Sequence, residues 1–166
     1  MLDQKNNIIL IIIFFIILLS IISALIIEHA LGHQPCSLCL YERIPYFLSA
    51  LLIIKIFFFK KYEKITLLIL FLVFMTSALL AFYHFGIEQG FFDESFVCNV
   101  ESQLKILSKE NLLKELNKNI VSCKDVTFRI LGLSLAGMNT ILSVVLSIIF
   151  LKLFFNYGSS STSQYK

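Results

Sequence analysis

An all-α membrane protein, folded as a four-transmembrane-helix bundle, is the class this sequence predicts, and three observations predict it. The 166 residues are 58% hydrophobic and only 15% charged, with a mean hydropathy of +0.86, too apolar for a water-soluble domain of this length. Four stretches, 8–27, 40–59, 65–85 and 130–155, are each long enough as helices to cross a hydrocarbon core of ~30 Å. Strand-length alternation of the barrel type is absent, and in lipid a helix satisfies its own backbone. Residues 1–166 read as a single membrane domain, with connections at 28–39 and 86–129 and a flexible tail at 156–166 that ends "GSSSTSQYK".

The first helix, 8–27, follows Lys5. A secretory signal peptide has a similar charged start, but its apolar run is ~7–15 residues and ends in a small-residue cleavage site. Here the run is longer and no such site follows, so the reading is a retained helix.

The second helix opens on "HQPCSLCLYER", residues 33–43. Proline suits a first helical turn, where its missing N–H costs nothing, so Pro35 is expected to start the helix. Cys36 and Cys39 then share one face of the opening turn. The helix dipole and unsatisfied N–H groups favour a thiolate there, below the ~8.5 of a free cysteine. A bridge across so short a loop removes little chain entropy, so the spacing suits exchange chemistry better than structural bracing. The competing reading is a tetrahedral metal site built from Cys36, Cys39, Cys98 and Cys123 with His29, His33 and His84 nearby, although only one cysteine pair has finger-like spacing.

Arg43 lies one turn beyond Cys39 on the same face. A charge at the bilayer centre costs ~2.5–3.5 kcal/mol on insertion scales, less near the interface, so a partner is expected. Glu42 or snorkelling to headgroups is one answer. The other is an anionic species beside Cys39, either its thiolate or a redox molecule taking electrons from it. Tyr46 and Phe47 continue the stripe, as plain packing or as the lining of an apolar cleft. Pro45 removes a backbone bond to Tyr41 and is expected to kink the helix there.

The connection "KKYEK", Lys60–Lys64, precedes the third helix and reads as cytoplasmic by its lysines, in agreement with Lys5, Lys152 and Lys166. Residues 28–39 hold no Lys or Arg. The long connection carries six Lys/Arg against seven Asp/Glu, so its charge agrees with an outside location less firmly. Cysteine usage supplies the independent argument. All four cysteines fall in the two large connections, and disulfides persist outside the cytoplasm. Both termini are therefore expected in the cytoplasm.

Within the long connection, Leu104, Leu107, Leu113, Leu116 and Ile120 recur among polar residues at mostly helical steps. They predict an amphipathic interfacial helix over 101–120, lying on the membrane or capping the bundle end. The sequence holds no internal repeat, nucleotide loop or nucleic-acid-binding pattern.

"PCSLCLYERIPY", "YHFGIEQGFF" (Tyr83–Phe92) and "CKDVTFRILGLSLAGMN" (Cys123–Asn139) together resemble the DsbB-type disulfide bond formation proteins of bacterial inner membranes. The likeness covers nearly the whole chain. Its specificity rests on the order of one C-x-x-C followed by two separated cysteines.

The resemblance implies a thiol relay. Cys98 and Cys123 would oxidise a periplasmic thiol oxidase of the DsbA type, with Cys98 forming the mixed disulfide. Electrons would pass to Cys36 and Cys39, and Cys39 would deliver them to ubiquinone or menaquinone, positioned by Arg43. His84 resembles a family histidine near the quinone; a satisfied polar residue at a helix end is the plainer reading. DsbA is a strong oxidant at about −120 mV, so re-oxidising it demands a still stronger net acceptor. The chain departs from the family in lacking Trp, with Phe128 and Met138 where members often carry it.

Two other functions compete. The vitamin K epoxide reductase type joins similar parts, but its separated cysteines precede the C-x-x-C. A membrane metal-binding or scaffold protein with structural disulfides is the non-enzymatic alternative.

Overall fold

The computed structural model describes residues 4–59, 62–93, 123–124, 129–130 and 132–162. Cys98 and the amphipathic helix expected over 101–120 lie outside the described residues. Four helices are long and apolar enough to cross a membrane: α1 (Gln4–His29), α2 (Ser37–Phe58), α3 (Glu63–Glu88) and α4 (Leu135–Thr162). Two short strands, β1 (Arg129–Ile130) and β2 (Leu133–Ser134), precede α4. The protein is an all-α membrane bundle, as the composition requires.

Each helix buries a narrow stripe and leaves the rest for lipid. On α1, Leu10, Ile13, Ile17 and Ile21 are buried at three- and four-residue steps, whereas Phe15, Leu19 and Ile22 are at least half exposed. The core continues through Ile53, Leu67, Leu70, Leu146 and Leu153. Phe74 is its centre, edge-on to Tyr46 with ring centroids 5.6 Å apart and stacked on Phe150 at 5.5 Å. α3 and α4 pack most extensively. Their buried small residues, Ser77, Ala78 and Ala81 against Ser143 and Ser147, allow the close approach that substitutes for a hydrophobic driving force in lipid.

The ends of the elements differ from the sequence expectation for local reasons. α2 begins at Ser37, three residues before the expected 40, with Cys36 in extended geometry as its cap. Pro35 therefore precedes the cap and is not in the first turn. The helix continues through Pro45 to Phe58. α3 extends to Glu88, beyond the expected 85.

The fourth helix was expected from 130 but starts at Leu135. Arg129 pairs with Ser134 and Ile130 with Leu133 in an antiparallel hairpin, and Gly132, at φ +85°, supplies the left-handed backbone that a tight hairpin turn needs. Ser134 Oγ then accepts from Gly137 N at 3.2 Å, capping the new helix. At its other end α4 runs to Thr162, into the expected tail, because each residue added to an existing helix gains a hydrogen bond without a new nucleation cost.

Candidate active site

The end of α1, the start of α2, the end of α3 and the start of α4 meet at one end of the bundle, around a cavity of about 480 Å³. Cys36, Cys39, Arg43, His84 and Cys123 all line it. These are the described members of the set the sequence singled out; Cys98 lies outside the described residues.

Cys36 is built into the helix start. Its Sγ accepts from the backbone N–H of Cys39 at 3.3 Å, the role an Asp or Ser oxygen plays in an ordinary cap. Cys36 and Cys39 are free thiols with sulfurs 2.7 Å apart, and Nε2 of His84 lies 3.5 Å from Cys36 Sγ. The Cys39 thiol hydrogen bond lowers the Cys36 pKa most, burial opposes it, and the hydrogen bond and charge of His84 lower it further, to about 5 from 9.0. Cys36 is therefore the thiolate of the pair near neutral pH, the form that attacks disulfides.

Cys123 is disulfide-bonded, only 2% exposed, and packed with Cys36, Leu38 and Ile87 in one small cluster. The second cysteine connection thus returns to the mouth of the C-x-x-C.

Behind the sulfurs lies a polar network that the sequence reading did not assemble. Glu42, 6% exposed, accepts from His84 Nδ1 at 2.6 Å through Oε1 and from Asn139 Nδ2 at 2.6 Å through Oε2. Tyr46 donates its hydroxyl to Asn139 Oδ1 and lies 3.3 Å from Ser143 Oγ, which is 3.2 Å from Ser77 Oγ. Buried polar groups in lipid are costly unless paired, and here α2, α3 and α4 pair Glu42, His84, Asn139, Tyr46, Ser143 and Ser77. The available signal was the intramembrane Glu42 itself, three residues beyond Cys39 on the same face.

Arg43 is not paired with Glu42. Its Nη1 donates to Glu28 at the end of α1, because Glu42 is committed to His84 and Asn139. Both side chains of this ion pair are about one-fifth exposed and both line the cavity. The remaining walls include the apolar Leu19, Ile27, Leu135 and Leu142. A volume of this size, apolar with a few convergent polar groups, is that of a small-molecule site.

A family model described as disulfide bond formation protein DsbB matches residues 6–153. The chain is similar to an uncharacterized protein, RP370, of Rickettsia prowazekii (strain Madrid E), with 30% identity over 146 residues, covering 86% of this chain and 83% of that protein. No solved structure matches. With the family match spanning all four apolar helices and the thiol pair, the chain belongs to the DsbB family: it is a multi-pass bacterial inner-membrane oxidoreductase of disulfide bond formation.

Proposed function

We propose that this protein re-oxidises a periplasmic thiol oxidase of the DsbA type and passes the electrons, through two cysteine pairs, to ubiquinone or menaquinone. One observation carries the reading: Cys36, Cys39, Cys123 and Arg43 line a single cavity at one end of the bundle. An external thiol and a membrane-soluble acceptor require such a shared boundary.

Cys98 and Cys123 form the pair that meets the partner, Cys98 accepting its attack and Cys123 leaving as thiolate. That thiol pair then reduces the Cys36–Cys39 disulfide by the same exchange. The reduced Cys36 is stabilised as thiolate by Cys39 and His84, so the state that must next be oxidised is already activated. Cys39, one turn from Arg43, hands on the electron pair as the Cys36 thiolate closes the Cys36–Cys39 disulfide and the thiol proton leaves with the electrons. When bound, the quinone accepts two electrons and two protons. Arg43 and His84 would hold it, while the apolar wall would exclude water.

The cysteine connections face the periplasm and both termini the cytoplasm. The support is that the cavity lies at the α2 start and α3 end, opposite the lysine-rich connection at 60–64.

The test is purified protein mixed with reduced DsbA and a ubiquinone or menaquinone analogue, followed by quinone absorbance. Quinone reduction is expected, and is lost in Cys39→Ser and in Cys98→Ser. Cysteines that never change redox state during incubation would overturn the reading.

A further inference from the structure

We propose that the reduced Cys36/Cys39 pair, together with His84 and Glu88, forms a binding site for a thiophilic divalent cation of the zinc class, and that the cation holds the pair out of exchange.

Three of the four ligand atoms are already gathered. Sγ of Cys36, Sγ of Cys39 and a ring nitrogen of His84 lie within 4.8 Å of one another. Tetrahedral zinc has Zn–S distances of ~2.3 Å and Zn–N or Zn–O distances of ~2.0–2.2 Å, which place its ligand atoms ~3.4–3.8 Å apart. Cys36 Sγ to His84 Nε2 is 3.5 Å, and His84 Nε2 to Glu88 Oε1 is 3.8 Å. The two sulfurs, at 2.7 Å, must separate by ~1 Å, and the Glu88 carboxylate, outside the group whose ligand atoms all lie within 4.8 Å of one another, must swing toward the sulfurs. Cys39 can supply the first movement by turning its side chain.

The fourth ligand has an independent mark. The Glu88 side chain is 7% exposed, it lines the same cavity, and its Oε2 is buried without a hydrogen-bond partner. An unpaired carboxylate oxygen in a bundle interior is costly, and a turn of the carboxylate that brings Oε2 onto the cation would satisfy it.

The surroundings of His84 match what a metal-bound imidazole needs. Its Nδ1 lies 2.6 Å from Glu42 Oε1, which orients the ring and leaves Nε2 facing the sulfurs. A carboxylate behind the non-ligating nitrogen fixes the tautomer and strengthens the ligand. Asn139 holds the other oxygen of Glu42 at 2.6 Å, so the support is itself anchored.

Binding balances without any redox change. The cation takes both sulfurs as thiolates and Nε2 as a neutral nitrogen, and two protons, shared until then among the two thiols and Nε2, leave. A Cys36–Cys39 disulfide offers no thiolate, so oxidation expels the cation and the site exists only in the reduced state. The inference does not depend on which molecule accepts the electrons.

The experiment uses detergent-purified full-length protein, reduced, equilibrated with zinc and desalted for metal analysis, with cobalt as the spectroscopic probe. Reduced wild type should retain one zinc per chain, and so should the Cys98→Ser/Cys123→Ser double variant. Cobalt should give thiolate-to-metal charge-transfer bands. Retention should vanish after oxidation and in Cys39→Ser. Glu42→Gln should weaken zinc affinity by about 10–100-fold, and Glu88→Gln by at least as much.

Absence of zinc from the reduced wild type would overturn the proposal. So would zinc kept after oxidation, zinc kept in Cys39→Ser, or cobalt without thiolate bands. The oxidised and reduced wild type are the same polypeptide, so that comparison stands even where a variant fails to fold. Metal analysis reads the site directly, whereas quinone reduction in metal-free buffer reads the relay, and either can fail alone.

Discussion

Nδ1 of His84 on α3 lies 2.6 Å from Oε1 of Glu42 on α2, and the opposite ring nitrogen lies 3.5 Å from Cys36 Sγ. A carboxylate, an imidazole and a thiol are thereby joined across two membrane helices. The relationship makes the reactivity of Cys36 depend on residues six and 48 positions further along the chain.

The pH dependence of that thiol follows. With its pKa lowered to about 5, Cys36 gains thiolate as pH rises through about 5 and is nearly fully ionised at neutral pH. Alkylation of reduced protein by a thiolate-selective reagent should rise through that midpoint and then level off. His84→Ala removes both a hydrogen bond and a charge that favour the thiolate, and should move the midpoint upward by about one pH unit or more. Mass spectrometry of Cys36 against pH reads it; an unmoved midpoint would show that His84 does not act on the thiol.

Arg43 and Glu28 make the second prediction. Hydrogen bonds to charged groups are worth ~1.5–3 kcal/mol, so Arg43→Ala should raise the apparent KM for quinone by about 10- to 150-fold. Glu28→Gln should leave that KM within a few-fold of wild type, since it keeps the guanidinium in place. Equal losses in both variants would instead make the pair a strut between α1 and α2.

Tyr46 joins α2 to α4 through Asn139 and Ser143. Tyr46→Phe keeps the ring against Phe74 but removes the donor to Asn139. A loss of about 0.6–2 kcal/mol is expected, the range for interhelical hydrogen bonds in membranes. Unfolding in mixed micelles measures it, and unchanged stability would mean that Asn139 finds another partner.

Gly86 near the end of α3 has no room for a side chain. A Cβ there would overlap the ring of Phe92, which stacks on Tyr83 with centroids 5.5 Å apart. Gly86→Ala should destabilise by about 1–3 kcal/mol, the cost of overpacking. The same change in a Phe92→Ala background should cost less, because the clash has gone. Additive losses would refute the steric explanation.

Much of this site was legible in the sequence. Cys36, Cys39 and Arg43 announce themselves by spacing on one helical face, and the order of the cysteines carried the family resemblance. Glu28, Asn139 and Glu88 did not, because their partners lie on other helices and nothing local ties Glu28 to Arg43 or Asn139 to Glu42. The hairpin before α4 was missed for another reason: residues 129–134 are mostly apolar and read as helix unless the turn at Gly132 is recognised.

Hydrophobic length and composition alone demanded four membrane helices, because lipid leaves the backbone no partner but itself. Residue types and spacing alone placed a reactive cysteine pair at the start of the second, suited to exchange and open to a metal. Which buried groups pair could be decided only by the packing of the four ends. A buried carboxylate takes whatever donor the neighbouring helices present, and here it was His84 and Asn139, which left Arg43 to Glu28.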